Sequence, residues 1–401
     1  MSATQRNGSH VRQIIVLGGG YAGTMAANRL SAADDADVVM VNPRPRFVHR
    51  VRLHQWIAGT GTADEDFAHV LSGRVRLVVD TATHIDVAGG RVELASDAAL
   101  DYDHLVYAVG SSGTPADTID GVAEHGFVLG EWEAAQRLRA RLDAVEATDP
   151  GAPATVIGGG LTGIEMAAEL ADAGVPVRIV CGVVLAPSFG DRARRSARRR
   201  LRKLGVEILE DCHVVSVGPD TVTIVDNGVR RIVPSSTTIV AAGFGVPDLA
   251  AVSGLSTDTA GRLITDETLT SVDDPRIVGA GDAVAPSGMA FRMSCQAANQ
   301  LGPHAADTVL ARLTGDAPSP VRLAFVGQGA SLGRRGAVVQ LTHRDDRPAR
   351  VVISGRAAAT IKELVCRSVI WGLRLEGRRP GATPSFGPTR QVGDRQVEVN
   401  A

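Results

Sequence analysis

Short apolar runs alternate along this chain with glycine turns and with alanine-rich stretches of helical period. That is the pattern of an α/β protein whose parallel strands are buried on both faces. Residues 14–17 form an apolar strand that runs into Gly18-Gly19-Gly20-Tyr21-Ala22-Gly23, then a helix over 24–30 and a second strand over 38–41. The same order returns far downstream: a strand over 154–157, Gly158-Gly159-Gly160-Leu161-Thr162-Gly163, a helix over 164–170 and a strand over 177–180. Each copy is strand, GxGxxG, helix, strand within about 30 residues, a βαβ unit able to place helix N–H groups on a pyrophosphate. One such glycine turn is a weak signal. Its repetition in the correct context predicts two Rossmann-like dinucleotide-binding domains.

Three further runs end in small residues. Residues 102–110 close on Gly110 and 238–243 on Gly243, each where the chain would cross between domains, and 277–283 closes a strand with Gly281-Asp282. Asp282 could accept hydrogen bonds from a polyol such as ribitol, or simply cap the following segment. From about residue 317, Pro318 and Pro320 mark a linker into short strands over 323–326, 337–341 and 350–353 and a last helix over about 357–375. The Pro/Gly-rich tail after Arg378 is expected to be mobile.

The 401 residues suffice for two or three domains, and 44% hydrophobic with 21% charged residues excludes a disordered chain or a coiled-coil rod. A formal net charge of −2 gives no general attraction to nucleic acid or anionic lipid. The four cysteines, Cys181, Cys212, Cys295 and Cys366, have neither CxxC nor metal-ligand spacing, which suits a reducing cytosol, and no metal site is expected. Only Lys203 and Lys362 are lysines, a bias read as genomic. The start of the chain is polar, without the apolar core of a signal peptide, and no run is long enough to span a bilayer.

Order and spacing of these segments resemble the flavoproteins with two dinucleotide-binding domains. Arg46-Phe47-Val48-His49 through Leu53-His54-Gln55, and Gly158 through Glu165, look like the type II (alternative) NADH:quinone dehydrogenases. The resemblance implies FAD on the first unit and NADH or NADPH on the second. The FAD domain (11–118 and 244–316) would be interrupted by the nucleotide domain (119–243), with a small α+β C-terminal domain over 317–401. Gly18, Gly20, Tyr21, Ala22, Gly23, Asn42, Gly110, Gly281 and Asp282 would hold FAD. Gly158, Gly160, Leu161, Thr162, Gly163 and Gly243 would hold the nicotinamide nucleotide. Glu165 matches a family glutamate near the two reacting rings, although a solvated first-turn glutamate would look the same. Cys295-Gln296-Ala297-Ala298-Asn299-Gln300 resembles the family's AQxAxQ quinone-site motif, with Gln296 and Gln300 in register; the alternative is a helix serving the flavin alone.

The departures matter as much. The acidic residue expected at the end of the first unit's second strand is Asn42, and in the second unit that place reads Cys181-Gly182, which leaves NADH against NADPH open. Arg192, Arg194 and Arg195 could recruit a 2′-phosphate or form a solvated helix face. The helix over 24–30 has no cysteine, so a disulfide-reductase relay is excluded. The expectation is an FAD-dependent NAD(P)H oxidoreductase passing electrons to a quinone or other small diffusible acceptor. The alternatives are a soluble reductase of a small carrier protein or biosynthetic intermediate, and a flavin redox sensor without turnover. Ile361, Leu364, Val365, Val369, Trp371 and Leu375 among Lys362, Arg367 and Arg374 make a basic amphipathic stretch, fit to lie on the inner face of the cell membrane or to dock on the protein's own core. A cytoplasmic location and a homodimer are compatible with the chain.

Overall fold

The computed structural model describes residues 11–113, 119–289 and 291–383. The first ten residues of the polar N-terminal stretch, and the expected mobile tail from residue 384 on, lie outside the described residues. Two five-stranded parallel sheets dominate the described residues. In the first, the strand Arg12–Leu17 lies at the centre, with Ala36–Asn42 and Val75–Val79 on one side and His104–Tyr107 and Ile277–Gly279 on the other. The second repeats the plan around Ala154–Ile157, with Val177–Val180 and Glu207–Leu209 on one side and Thr237–Val240 and Gly126–Val128 on the other. Ile14, Ile15, Val16, Val156 and Ile239 have no exposed surface, as strands covered on both faces require.

Every residue of the helix Tyr21–Leu30 is buried. It is held between its own sheet, the helix Cys295–Thr314 and the terminal helix Arg356–Arg378. The approach to Cys295–Thr314 is close: a Cβ on Gly302 would stand 2.2 Å from the Ala22 carbonyl oxygen. Three-stranded antiparallel sheets over Ala82–Asp86, Arg91–Leu94 and Ala99–Asp101, and over Cys212–Val217, Thr221–Asp226 and Val229–Pro234, flank the two parallel sheets.

Toward the C-terminus the expected strand at 323–326 is absent and the sheet starts at Gly327–Ser331, pairing with Ala337–Thr342 and Pro348–Gly355. Side chains rather than a neighbouring strand take up much of the 324–327 backbone, as described below. This sheet packs on the helix Leu161–Asp172 and on Arg356–Arg378, so the C-terminal segment touches both glycine-turn units. Both repeat helices begin earlier than periodicity suggests, at Tyr21 and Leu161, because Gly20 and Gly160 are their N-caps. The terminal helix likewise extends from Arg356 to Arg378.

Candidate active site

The two glycine turns share the same close approaches at their first and last glycines. Gly18 (φ +99°) and Gly158 (φ +117°) take backbone angles that L side chains rarely adopt, and a Cβ there would strike the carbonyl oxygens of Ala108 and Ala241 at 2.4 and 2.5 Å. A Cβ on Gly23 would lie 1.8 Å from the Gly18 carbonyl oxygen, and one on Gly163 1.9 Å from that of Gly158, so helix and strand touch through glycine alone. Gly20 and Gly160 face open space, with no atom within 4 Å of a Cβ position. Each turn therefore offers uncapped helix N–H groups beside an unobstructed approach, the requirement for a pyrophosphate.

A cavity of about 710 Å³ opens on the first turn. Gly18, Gly20, Tyr21, Ala22, Asn42, Gly110, Gly281 and Asp282, all expected to hold FAD, line it. Gly23 acts behind it through the contact with Gly18. The Asn42 side-chain oxygen Oδ1 accepts from the Gly19 N–H at 2.8 Å, and its side-chain NH₂ donates to the Arg44 carbonyl at 2.7 Å, so the residue braces the turn it borders. Asp282 does more than cap. It accepts from the Ser111 hydroxyl (2.8 Å) and the Ser294 N–H (3.1 Å), and the Arg50 guanidinium donates to both oxygens of Ser111 at 2.8 and 3.0 Å. Arg50 and Ser111 were not singled out in the sequence; Arg50 lies inside the Arg46–His54 stretch, where an arginine among many carries no signal.

On the second unit, Gly158 N–H donates to Val180 O just as Gly18 N–H donates to Val41 O, which makes Cys181 the counterpart of Asn42. Cys181 is buried and its thiol lies against Gly159, where a Cβ would stand 2.6 Å from Sγ. The nearby carboxylate of Glu210 is held by Arg198 through two 2.6 Å contacts and by the Leu185 N–H at 2.8 Å. Leu161 and Thr162 open the helix, and Gly243 (φ +96°) follows the Ala241-Ala242 segment packed on Gly158.

Glu165 is buried rather than solvated, at 8% exposure. It accepts from the Ser331 N–H at 2.8 Å and pairs with Lys362 Nζ at 3.2 Å, while His54 Nδ1 lies 3.9 Å away. Lys362, expected on the interfacial face of the terminal helix, turns inward and also donates to the Gly329 carbonyl at 3.1 Å. Burial works against its charge, but the Glu165 carboxylate with Cys366 and Cys295 outweighs it and holds the ammonium above the ordinary lysine value. That one of only two lysines stands here was the overlooked signal.

Tyr21 and His49 close this end, joined by a 3.1 Å hydrogen bond. Burial drives the His49 imidazole down to about 3, with Arg52 and Lys362 acting in the same sense. Cys295 shares the neighbourhood with Cys366; both are free, and burial raises both thiols.

Gln296 and Gln300 are placed as clasps. Gln300 accepts from Ala324 N–H (3.0 Å) and donates to Ala324 O (3.1 Å), and the Gln296 amide pairs with Val326 N–H (2.9 Å) and Gly327 O (3.2 Å). They fix the segment that leads into Gly327–Ser331, the strand carrying the Gly329 and Ser331 contacts to Lys362 and Glu165.

Residues 12–302 match the family model described as pyridine nucleotide-disulphide oxidoreductase. The chain belongs to that family. The oxidoreductase is 29% identical over 381 residues to an NADH dehydrogenase-like protein of Mycobacterium tuberculosis, covering 88% of this chain and 92% of that one. It is 27% identical over 388 residues to a type II NADH:quinone oxidoreductase of Staphylococcus haemolyticus, covering 88% and 94%. The solved structure of NDH2 from Plasmodium falciparum in complex with NADH superposes with a TM-score of 0.77 at 18% identity, covering 92% of this chain and 97% of that one, a likeness of fold.

Proposed function

We propose that this oxidoreductase takes hydride from NAD(P)H bound at the second glycine turn, with FAD on the first as carrier, and passes the electrons to a quinone-type acceptor. The observation that carries the reading is the pairing of two similar glycine turns with the Glu165–Lys362 pair, whose lysine faces inward from the terminal helix. When bound, FAD supplies the two-electron chemistry. The residues around the cavity suit it: Gly18 to Gly23 for its pyrophosphate, and Asp282, held by Ser111 and Ser294, for a polyol chain. On this reading the Glu165 carboxylate and the Lys362 ammonium stand beside the acceptor, the ammonium favouring charge that develops on its oxygen. Gln296 and Gln300 position rather than react, through the strand that holds that pair. The relatives named as quinone oxidoreductases support this acceptor class over a carrier protein.

The terminal helix keeps part of its expected outward face. Ile361 and Val369 are partly buried, Lys362 pairs with Glu165 and Arg374 with Glu65 at 2.7 Å, leaving Leu364, Val365 and Trp371 exposed beside Arg367. That face supports a peripheral membrane contact, and among the described residues no helix is long and apolar enough to cross a membrane.

Anaerobic titration tests the main reading. Purified protein carrying FAD should bleach with one equivalent of NADH or NADPH and recover its colour on adding a menaquinone analogue, faster than with ferredoxin. Protein that stays colourless when supplied with FAD, or that bleaches and is reoxidised only by ferredoxin, would refute it.

A further inference from the structure

The strand Val177–Val180 of the second unit leads into Cys181-Gly182-Val183, and the start of the strand Cys212–Val217 is sewn to that turn by two backbone hydrogen bonds. The Cys212 N–H donates to Cys181 O at 3.3 Å and the Asp211 N–H to Val183 O at 3.0 Å. Cys212 is buried, and His213 is the first side chain of its strand to reach solvent. A Cβ on Gly182 would lie 3.6 Å from both Cε1 and Nδ1 of His213, so the imidazole stands where a side chain at 182 would extend. Its ring nitrogens make no hydrogen bond or ion pair among the described residues. Val183, beside it, is 69% exposed.

In a dinucleotide-binding βαβ unit the 2′ position of the adenosine ribose is read at the end of the second strand, by a carboxylate for a hydroxyl or by an arginine nearby for a phosphate. The groups placed for this here are engaged elsewhere. Cys181 turns its thiol onto Gly159, and Glu210 is taken by Arg198 and the Leu185 N–H. Arg194 donates to Phe189 O at 3.0 Å and to Asp191 at 3.1 Å. Arg192 and Arg195 are exposed on the side of their helix away from its buried Ala193, Ala197 and Leu201. Glycine at 182 leaves the approach open, and the side chain standing at its edge is an imidazole.

We infer that His213 reads the 2′ position of the nicotinamide nucleotide at the second glycine turn; the inference rests on the NAD(P)H reading above. A neutral imidazole carries one N–H donor and one nitrogen acceptor, so it can exchange hydrogen bonds with a ribose 2′-hydroxyl in either direction, and its N–H can equally donate to a 2′-phosphate oxygen. A carboxylate in its place would accept from the hydroxyl and repel the phosphate. An imidazole does neither exclusively, so both nucleotides are accepted. The 2′ position lies on the adenosine half of the nucleotide, away from the reacting nicotinamide. His213 is therefore a specificity-determining residue, which sets nucleotide affinity without entering the hydride step.

Calorimetric titration of the full FAD-loaded chain with ADP-ribose and with 2′-phospho-ADP-ribose tests this without turnover. Wild-type protein should bind the two probes within about tenfold of each other. His213→Ala should weaken the phosphorylated probe at least about tenfold, the size of one hydrogen bond to a charged group, and ADP-ribose only about threefold. His213→Gln, which keeps a donor and an acceptor, should recover most of the ADP-ribose loss. His213→Asp should retain ADP-ribose and reject the phosphorylated probe, and in turnover it should raise KM for NADPH with kcat unchanged. Unchanged affinity for both probes in His213→Ala and His213→Asp would overturn the assignment, as would equal loss of both with lowered thermal stability, the mark of a residue that only supports its strand. A strong wild-type preference for ADP-ribose that Asp211→Asn removes would give the position to Asp211 and overturn it as well. Wild-type protein that binds neither probe nor NADH would overturn the nucleotide reading and this inference together, whereas binding indifferent to His213 would overturn this inference alone.

Discussion

At the residue scale the Glu165–Lys362 pair is the most exacting feature, because each charge is stable in the interior only while the other is present. Lys362→Met leaves a buried carboxylate held by the Ser331 N–H, and breaking a buried pair on one side costs about 3–5 kcal/mol. Urea unfolding should show that loss, and the double variant Lys362→Met with Glu165→Gln should recover most of it, since no charge then remains unpaired. Equal destabilisation in the single and double variants would mean the pair contributes little. His49 makes stability depend on pH in the same sense as a carboxylate ion pair, through its burial. Its folded value is about 3 against an ordinary 6.5, so between those values the unfolded chain binds a proton that the folded chain refuses. Stability therefore falls as pH drops below 6.5, by about 1.4 kcal/mol per unit from this residue, and is unaffected by it above. His49→Gln should flatten that limb of the stability curve. Nucleotide choice also turns on single residues. With a thiol at 181 and Glu210 already occupied by Arg198, neither of these positions offers a carboxylate to grip a 2′-hydroxyl or repel a 2′-phosphate. The kcat/KM values for NADH and NADPH should lie within about tenfold, a difference of 1.4 kcal/mol or less, and a preference of a hundredfold or more for NADH would contradict this.

At the scale of elements, the glycine turns were legible because their chemistry is local: a tight turn, an open approach and a helix start leave no residue but glycine at 18, 23, 158 and 163. Parallel strands were legible for a related reason, since a strand covered on both faces must be apolar throughout. The site around Glu165 was not legible beyond Glu165 itself. His54, Ser331 and Lys362 come from separate segments brought together only by tertiary packing, and periodicity holds no record of such meetings. The strand misplaced at 323–326 has the same origin, because its backbone is taken up by Gln296 and Gln300 from a distant helix. The terminal helix shows how one element can serve two faces. Its outward side suggested an interfacial helix, but its inward side sends Lys362 to Glu165 and buries Glu376 entirely, where the carboxylate pairs with Arg29 at 2.8 Å and accepts from the Gly381 and Thr383 N–H groups. Glu376→Ala leaves Arg29 with Asp307 at 2.9 Å but frees the Gly381 and Thr383 N–H groups, so the helix end should open first; hydrogen exchange should rise over 370–383 well before the central sheets are affected.

For the whole molecule, the open question is how a lipid-soluble acceptor would reach a buried pair in a protein whose described residues include no membrane-crossing helix. The terminal helix offers an answer because its two faces lie back to back. Lys362 and Cys366 look into the site, while Leu364 at 59%, Val365 at 51% and Trp371 at 64% exposure look outward, with Arg367 beside them. Burying one such apolar side chain fully is worth about 1.5–3 kcal/mol, and a surface arginine near anionic lipid adds about 1 kcal/mol. Even half-burial of the three gives a binding energy measurable by flotation, and the arginine makes it salt-dependent. The oxidoreductase should therefore float with anionic vesicles at low salt and less so at high salt. Replacing Leu364, Val365 and Trp371 by serine together should abolish flotation and slow turnover with a long-chain quinone in vesicles, while leaving turnover with a water-soluble analogue unchanged. Equal loss with both acceptors would mean that the strip supports the fold rather than the approach of the substrate, and flotation that survives the triple replacement would move the membrane contact elsewhere on the surface.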